Sequence, residues 1–241
     1  MTLVSPKRAL ALVLALGVAA SLAACAPEKE EAAPSATPTV EPTETAAPPT
    51  AQRPRLTELV LTTEGLGDLQ FGAAPPTEDP ATALVSYDDD ACVGTGTTYP
   101  GLWTANYPEI DEGDGPRAPF AIQVTNDLIT RIDVNTSGII TEDGLGIGSS
   151  LDAVLGTYPG GPDEVLNSSD VSEVYVFTGT AGKLLFEVAK GDMAGYWEDD
   201  VVGTVVYLSA VSIDTAAFAK AGTDNTIGVC NIGRAVPGCR R

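Results

Sequence analysis

Residues 26–54, APEKEEAAPSATPTVEPTETAAPPTAQRP, limit how much of this 241-residue chain can fold. The segment is nearly all Ala, Pro, Glu and Thr, and it has no periodic apolar face. Such a composition cannot bury enough apolar surface to offset the entropy of ordering, so it predicts a disordered, partly extended linker. We therefore expect the folded part to occupy residues 55–241, a length that suits one large or two small domains.

Residues 1–24 precede this linker and have the layout of a secretory signal. Lys7 and Arg8 form a positive start, and the apolar run ALALVLALGVAASLAA ends in small residues. A membrane-spanning helix needs about 20 apolar residues, so this run is too short for a comfortable span. The segment closes on the sequence LAAC, ending at Cys25, which resembles the lipobox of bacterial lipoproteins.

That resemblance implies a lipid anchor at Cys25. In lipoproteins the cysteine thiol is diacylated and the chain is cut just before it. Two or three acyl chains anchor a protein far more firmly than a single myristoyl chain does. We therefore interpret residues 25–54 as the lipidated cysteine and its linker, and we expect the mature protein to be held at the cell membrane, facing the extracytoplasmic side, without a transmembrane helix.

The charge balance limits the other partners. The sequence has 33 Asp and Glu residues against 13 Lys and Arg residues, a formal net charge of -20. Such a surface repels phosphates and anionic lipid headgroups, so no nucleic acid partner is expected. Solubility accounts for this acidity; binding of cations or of a basic partner is the alternative.

Alternation of apolar and polar residues predicts paired strands in the folded part. In APFAIQVT the residues Phe120, Ile122 and Val124 alternate, and a second alternating strand follows across Asn126-Asp127, which predicts a tight hairpin. The same pattern returns in KLLFEVA and VVGTVVYLSAVSI, which are joined by an insertion at residues 190–200. These strands are expected to form antiparallel sheets with one apolar face.

A repeat precedes both sets of strands. TTEGLGDLQFG at residues 62–72 returns as ITEDGLGIGSS at residues 140–150. The second copy leads into SLDAVLGTY, a helix candidate with Ser149 or Ser150 as its N-cap. The first copy is followed by a shorter helix candidate that begins at Asp79-Pro80.

From these elements we predict an α+β fold of two tandem units, each with a short helix on an antiparallel sheet. The first unit is residues 55–137, and the second, with the C-terminal tail, is residues 138–241. This order, with the pattern GxSxxxVLGxY at residues 148–158, resembles the tandem units of β-lactamase-inhibitor-type proteins, small outer-membrane-assembly lipoproteins and two-unit lipoproteins of actinobacteria. The tryptophan-rich closing strand of the inhibitor units is missing here, so inhibition of β-lactamase is not implied.

The sequence contains no histidine. The usual base for a Ser or Cys nucleophile and the commonest metal ligand are therefore absent, which excludes a Ser-His-Asp hydrolase and a zinc hydrolase. We predict no catalytic residue, no bound metal and no cofactor. Paired carboxylates can act as acid and base in glycosidases, so a hydrolase of cell-wall glycans is the alternative function.

A possible recognition surface lies in the insertion, whose sequence GYWEDD combines aromatic rings with acids. Its residues are Tyr196, Trp197, Glu198, Asp199 and Asp200. Such a composition is found at recognition surfaces for sugars or basic partners, and packing of the rings in the interior is the competing interpretation. We predict a non-catalytic binding or interaction module with a basic protein or a glycan as partner. A purely structural envelope protein is a further alternative.

Assigning Cys25 to lipid leaves three cysteines, Cys92, Cys230 and Cys239, in an oxidising compartment. An odd number predicts one disulfide and one free thiol. A Cys230–Cys239 bridge is favoured by proximity in sequence. A bridge from Cys92 to either partner closes a much longer loop and is favoured by stabilisation, so we favour it slightly.

Overall fold

The computed structural model describes residues 52–77, 79–91, 101–111, 116–167, 169–191, 193–222 and 227. Cys25, Cys92, Cys230 and Cys239 lie outside these residues, so the lipidation and the disulfide pairing stay predictions. Within the described part of the chain, no helix has the length and apolar character needed to cross a membrane.

Strands dominate the described residues. One 3-10 turn (Leu56–Glu58) and one α-helix, α1 (Leu151–Thr157), accompany twelve strands there. The strands are β1 (Val60–Leu61), β2 (Gly65–Leu66), β3 (Leu69–Gln70), β4 (Val85–Asp88), β5 (Leu102–Ala105), β6 (Phe120–Thr125), β7 (Leu128–Val134), β8 (Ile140–Thr141), β9 (Glu164–Leu166), β10 (Ser172–Thr178), β11 (Gly182–Ala189) and β12 (Val205–Ser212).

A central sheet of six antiparallel strands has the order β6-β7-β12-β11-β10-β9. The predicted hairpin between β6 and β7 is confirmed. Asn126 (φ 53°) and Asp127 (φ 62°) are both left-handed, which is the conformation of a type I′ turn. Its twist matches that of the flanking strands, so a two-residue connection is enough.

A second sheet, of order β3-β2-β1-β8, holds strands from both copies of the sequence repeat, with β1 between them. β1 and β8 run parallel, with Leu61 opposite Thr141. Each leads into a turn that contains a glycine with positive φ, Gly65 (φ 146°) in the first copy and Gly144 (φ 79°) in the second. L-residues rarely adopt this region, so the repeat encodes a recurring turn. β4 and β5 form a separate two-stranded sheet.

The predicted α+β class is wrong, because the described residues are mainly β and hold a single α-helix. That helix is the one predicted after the second repeat, and Ser150 Oγ caps it by accepting the amide of Ala153 at 3.2 Å. After the first repeat, residues 79–83 form only one turn, in which the amides of Thr82 and Ala83 donate to the Asp79 carbonyl. The apolar segment there is too short to offset helix nucleation, and the chain enters β4 at Val85.

The prediction of two units, each with its own helix and sheet, is also wrong. β7, from the first predicted unit, is hydrogen-bonded to β12, from the second, with Ile132 opposite Ala210. The main core is therefore shared. It lies among the central sheet, the four-stranded sheet and α1, and it includes Leu61, Leu66, Phe120, Ile132, Val154, Phe186 and Leu208.

The other face of the central sheet is covered by residues 215–221, which we call the strap. Ala219 of the strap packs against a small apolar cluster made by Val174, Val176, Leu185 and Val211. Beside this cluster lie four buried charged residues, Arg131, Asp133, Glu187 and Lys220.

The buried charges hold the strap through two short hydrogen bonds and one ion pair. Arg131 donates two hydrogen bonds to Asp133, at 2.7 and 2.8 Å. Lys220 Nζ lies 3.3 Å from Asp133 Oδ2. Glu187 accepts the backbone amides of Lys220 and Ala221, both at 2.7 Å. Charged groups in the interior persist only when they are paired in this way.

Candidate functional site

A cleft of about 450 Å³ opens where four loops meet near one end of the central sheet. The lining residues come from the end of β1, the turn after β8, the connection between α1 and β9, and the turn between β10 and β11. The residues that matter for its chemistry are Thr62, Thr63, Glu142, Asp143, Thr157, Tyr158, Asp163 and Phe177.

One wall of the cleft depends on a close backbone approach at Gly182. A Cβ atom at this position would lie 2.6 Å from the carbonyl oxygen of Thr63 and would also collide with the carbonyl oxygen of Val211. Only glycine therefore lets the loop after β1 rest on the start of β11. This contact places Thr63 at the edge of the cleft.

Tyr158 forms the floor of the cleft at the end of α1. Its ring stacks on Phe177, with the ring centroids 4.3 Å apart, and it also contacts Phe186 of the main core. The hydroxyl donates to Asp143 Oδ2 at 2.9 Å. Burial raises the pKa of Tyr158 to about 12, and the hydrogen bond to Asp143 adds to the rise. The phenol is therefore a neutral donor at ordinary pH, already committed to Asp143.

Asp163 fixes the opposite side of the cleft. Its Oδ2 atom accepts the amide of Thr178 at 2.7 Å, and its own amide donates to the carbonyl of Val176 at 2.9 Å. These two bonds tie the connection after α1 to β10. Gly161, with φ 77°, provides the left-handed turn that brings this connection back to the sheet.

Besides the Tyr158 hydroxyl, three threonine hydroxyl groups around the cleft donate into the protein. Thr62 donates to the carbonyl of Gly65, Thr63 donates to Glu64, and Thr157 donates to the carbonyl of Ala153. A hydroxyl that has used its single proton offers only lone pairs to a ligand. The cleft therefore presents mainly hydrogen-bond acceptors, and it suits a ligand that supplies donors.

The charged residues that line the cleft are all acids, namely Glu142, Asp143 and Asp163. A concave site lined by charges of one sign concentrates the potential of that sign. This cleft therefore disfavours anions and favours neutral or positively charged ligands. Its aromatic floor adds an apolar surface on which a flat molecule can lie.

The recognition residues predicted from the sequence lie outside the cleft. Tyr196 is exposed and its ring meets Trp197 edge to face, with centroids 5.0 Å apart. Trp197 is half-buried and donates its indole N–H to the carbonyl of Val171 at 2.8 Å. Glu198, Asp199 and Asp200 are exposed. These residues share one loop between β11 and β12, and they do not line the cleft.

The cleft was not predicted from the sequence. Tyr158 is the last residue of the helix candidate SLDAVLGTY, and this position gives no sign of a role in a cleft. Asp143 and Asp163 sit in glycine-rich turns that give no sign of meeting. The one available signal was YPGGPD at residues 158–163, an unusually dense group of turn residues directly after a helix.

Comparisons with known proteins give little similarity. No protein-family model matches the chain, and no curated protein matches it. Among solved structures, the chain is similar to YjgB, a DUF4309 family protein from Bacillus subtilis, with a TM-score of 0.30 and 12% sequence identity. The match covers 67% of this chain and 88% of that chain.

Proposed function

We propose that this protein is a bacterial lipoprotein, anchored at the extracytoplasmic side of the cell membrane through Cys25, that displays a non-catalytic binding domain. The lipobox-like sequence before Cys25 supports the anchor. At about 3.1 Å per residue of extended polyproline II, the linker at residues 26–54 is long enough to hold the domain up to about 90 Å from the lipid. The ligand would then be a component of the envelope within that distance.

The cleft is the proposed ligand site, and the ligand class is a saccharide. The observation that carries this proposal is the direction of the hydrogen bonds: Tyr158, Thr62, Thr63 and Thr157 all donate into the protein, so the cleft offers acceptors. Sugar hydroxyls supply the matching donors, and the apolar face of a sugar ring can lie on an aromatic floor. Because the charged lining residues are acids, a sugar carrying an amine should bind more tightly than a neutral one.

The saccharide proposal is tested by calorimetric titration of the full mature chain in detergent. The probes are a tetramer of N-acetylglucosamine, which is neutral, and a tetramer of glucosamine, which is positively charged. We expect both to bind and the charged tetramer to bind more tightly. Glu142→Gln should weaken binding of the charged tetramer, whereas Glu164→Gln, on β9 outside the cleft, should leave it unchanged.

Three outcomes would overturn parts of this proposal. Absence of binding by both tetramers would reject the saccharide ligand. If Glu142→Gln and Glu164→Gln weaken binding of the charged tetramer equally, the cleft is rejected as the binding site. Release of shorter sugars during the titration would show hydrolysis, the alternative function, and would reject a non-catalytic module.

The lipid anchor has its own test, which is independent of the cleft. Cells that express the protein are labelled with a fatty-acid analogue, and the protein is then isolated. We expect label on the wild-type chain and none on Cys25→Ala. A labelled Cys25→Ala protein would contradict the anchor without touching the saccharide proposal.

A further inference from the structure

The loop between β11 and β12 exposes an unusual amount of apolar side chain. Nine large apolar residues are exposed among the described residues, and three of them lie in this loop, within the ten residues 193–202. They are Met193, Tyr196 and Val202, with 47%, 45% and 40% of their surfaces exposed. Exposed apolar residues that lie close together mark interaction surfaces, whereas single exposed apolar residues need no explanation.

The backbone of the loop is held in place, so these side chains are presented from a fixed support. Trp197 is anchored through its indole N–H to Val171. The amide of Val201 donates to the carbonyl of Glu198, and the amide and the hydroxyl of Thr204 both donate to the carbonyl of Val201. The amide of Gly203 donates to Ala189 at the end of β11. A preorganised surface loses little entropy when a partner binds.

The charge next to the apolar side chains identifies the partner. Residues 193–202 contain three exposed acids, Glu198, Asp199 and Asp200, and no Lys or Arg. An anionic membrane surface would be repelled by these carboxylates. A second copy of this chain would bring the same acids face to face. The charge complementary to this surface is positive.

We propose that residues 193–202, the acidic loop, form a docking surface for a basic protein segment in which Lys or Arg residues flank apolar side chains. Tyr196 and Met193 are the apolar anchors, and the three acids pair with the positive charges at the rim. Tyrosine is enriched at the energetic centres of protein interfaces. This surface is separate from the saccharide cleft, because Leu184 of the cleft and Ala189 before the loop are about 17 Å apart along β11.

The test uses the full mature chain in detergent and two synthetic peptides of equal length and charge, one alternating Lys and Leu and one alternating Lys and Ser. Affinities are measured by fluorescence anisotropy at about 150 mM salt. The Debye length is then about 8 Å, so attraction between exposed charges farther apart than this is largely screened. We expect the Lys-Leu peptide to bind more tightly. Tyr196→Ala should weaken its binding at least about tenfold and leave the Lys-Ser peptide unchanged.

Tyr87 provides a matched control elsewhere on the surface. It is 52% exposed, its ring contacts Trp103, and three acids follow it at positions 88–90. We expect Tyr87→Ala to bind the Lys-Leu peptide as the wild type does. Met193→Ala repeats the test with a second side chain of the acidic loop, in case Tyr196→Ala fails to fold.

Several results would overturn the docking surface. These are equal binding of the two peptides, binding of neither, equal losses in Tyr87→Ala and Tyr196→Ala, and unchanged binding in both Tyr196→Ala and Met193→Ala. The saccharide titration is unaffected by any of them, since none of these residues lines the cleft.

Discussion

The two faces of the central sheet come from the same strands but are buried by different means. In β11, Leu184, Phe186 and Val188 face the main core, and Leu185 and Glu187 face the strap. The first face is apolar throughout the strand. The second places the carboxylate of Glu187 beside the hydrocarbon of Leu185, although both of these side chains are buried.

The difference shows that burial has two physical origins in this protein. On the main-core face it follows from the removal of apolar surface from water. On the strap face it depends on pairing, because Glu187 accepts two strap amides and the hydroxyl of Ser172, which lies 2.6 Å away. A buried ion cluster adds little net stability but is costly to break, so its role here is to set the position of the strap.

Phe186→Ala tests the main-core face and should have the largest effect. Phe186 is fully buried and its ring meets that of Phe177 edge to face, so truncation leaves a cavity. We expect the free energy of unfolding in urea to fall by about 3 to 5 kcal/mol. Val165→Ala on β9, where the side chain is exposed, should change it by less than about 0.5 kcal/mol. Similar losses in both variants would show that this face is not a packed core.

Asp133→Asn tests the strap face. The substitution keeps the shape and removes the charge that pairs with both Arg131 and Lys220, which stay buried. We expect a loss of about 3 kcal/mol in urea unfolding, because an uncompensated buried charge is left behind. Asp170→Asn, at an exposed position, is the control. A loss below about 0.5 kcal/mol in Asp133→Asn would contradict the proposed role of the cluster.

Lys220→Met tests the same cluster through pH. Burial lowers the pKa of Lys220 from its ordinary value of 10.5, and the attraction of Asp133 only partly offsets this. Between the lowered value and 10.5 the unfolded chain binds more protons, so the stability of the wild type should rise with pH there. The rise is at most about 1.4 kcal/mol per pH unit and is complete above 10.5. Below the lowered pKa, Lys220 is protonated in both the folded and the unfolded chain, so it causes no change of stability with pH.

The measurement is the difference in urea unfolding free energy between the wild type and Lys220→Met across this pH range. The difference is needed because Tyr158 and Tyr175 make the wild type less stable as the pH rises, which opposes the effect of Lys220. Their pKa values are raised to about 12 in the folded protein. Their contribution is complete below pH 10 and is lost as the pH rises towards 12. A wild type and variant with parallel pH profiles would contradict the lowered pKa of Lys220.

Tyr158→Phe should have the smallest effect on stability. It removes the hydrogen bond to Asp143 but keeps the ring that stacks on Phe177, so we expect a loss of about 1 kcal/mol. The sharper readout is tyrosinate absorbance in an alkaline titration. One phenol that ionises near pH 12 should disappear in Tyr158→Phe, while that of Tyr175 stays. An unchanged titration would contradict the burial of Tyr158.

Local patterns predicted the parts of the fold that depend on neighbours in sequence. Alternation and the Asn126-Asp127 turn predicted the β6–β7 hairpin, and the choice of Ser149 or Ser150 as N-cap predicted the start of α1, which Ser150 caps. The helix at Asp79 was predicted wrongly, because a single turn of helix competes poorly with a strand that can pair. The division into two units failed because β7 pairs with β12, a contact across more than 70 residues.

Local sequence patterns could not predict the candidate site either, because it too depends on contacts between segments that are distant in sequence. Asp143 follows β8, whereas Tyr158 and Asp163 belong to the connection between α1 and β9. They meet in one cleft through long-range contacts, namely the hydrogen bond from Tyr158 to Asp143, the ring contact of Tyr158 with Phe177 and the bond from the Thr178 amide to Asp163. Arg131, Asp133 and Glu187 occupy the polar positions of alternating strands, which normally face water. The strap that covers them lies far along the chain.

The sequence by itself determined the β6–β7 hairpin and the start of α1, because a tight turn and a helix cap depend on φ angles and hydrogen bonds within a few residues. It also determined the strong negative charge and the lipobox-like ending at Cys25. Only the tertiary structure decided which strands share a sheet, which polar residues are buried and which acids meet in the cleft. Those outcomes depend on contacts between distant segments, whose free energy is realised only when the whole core closes.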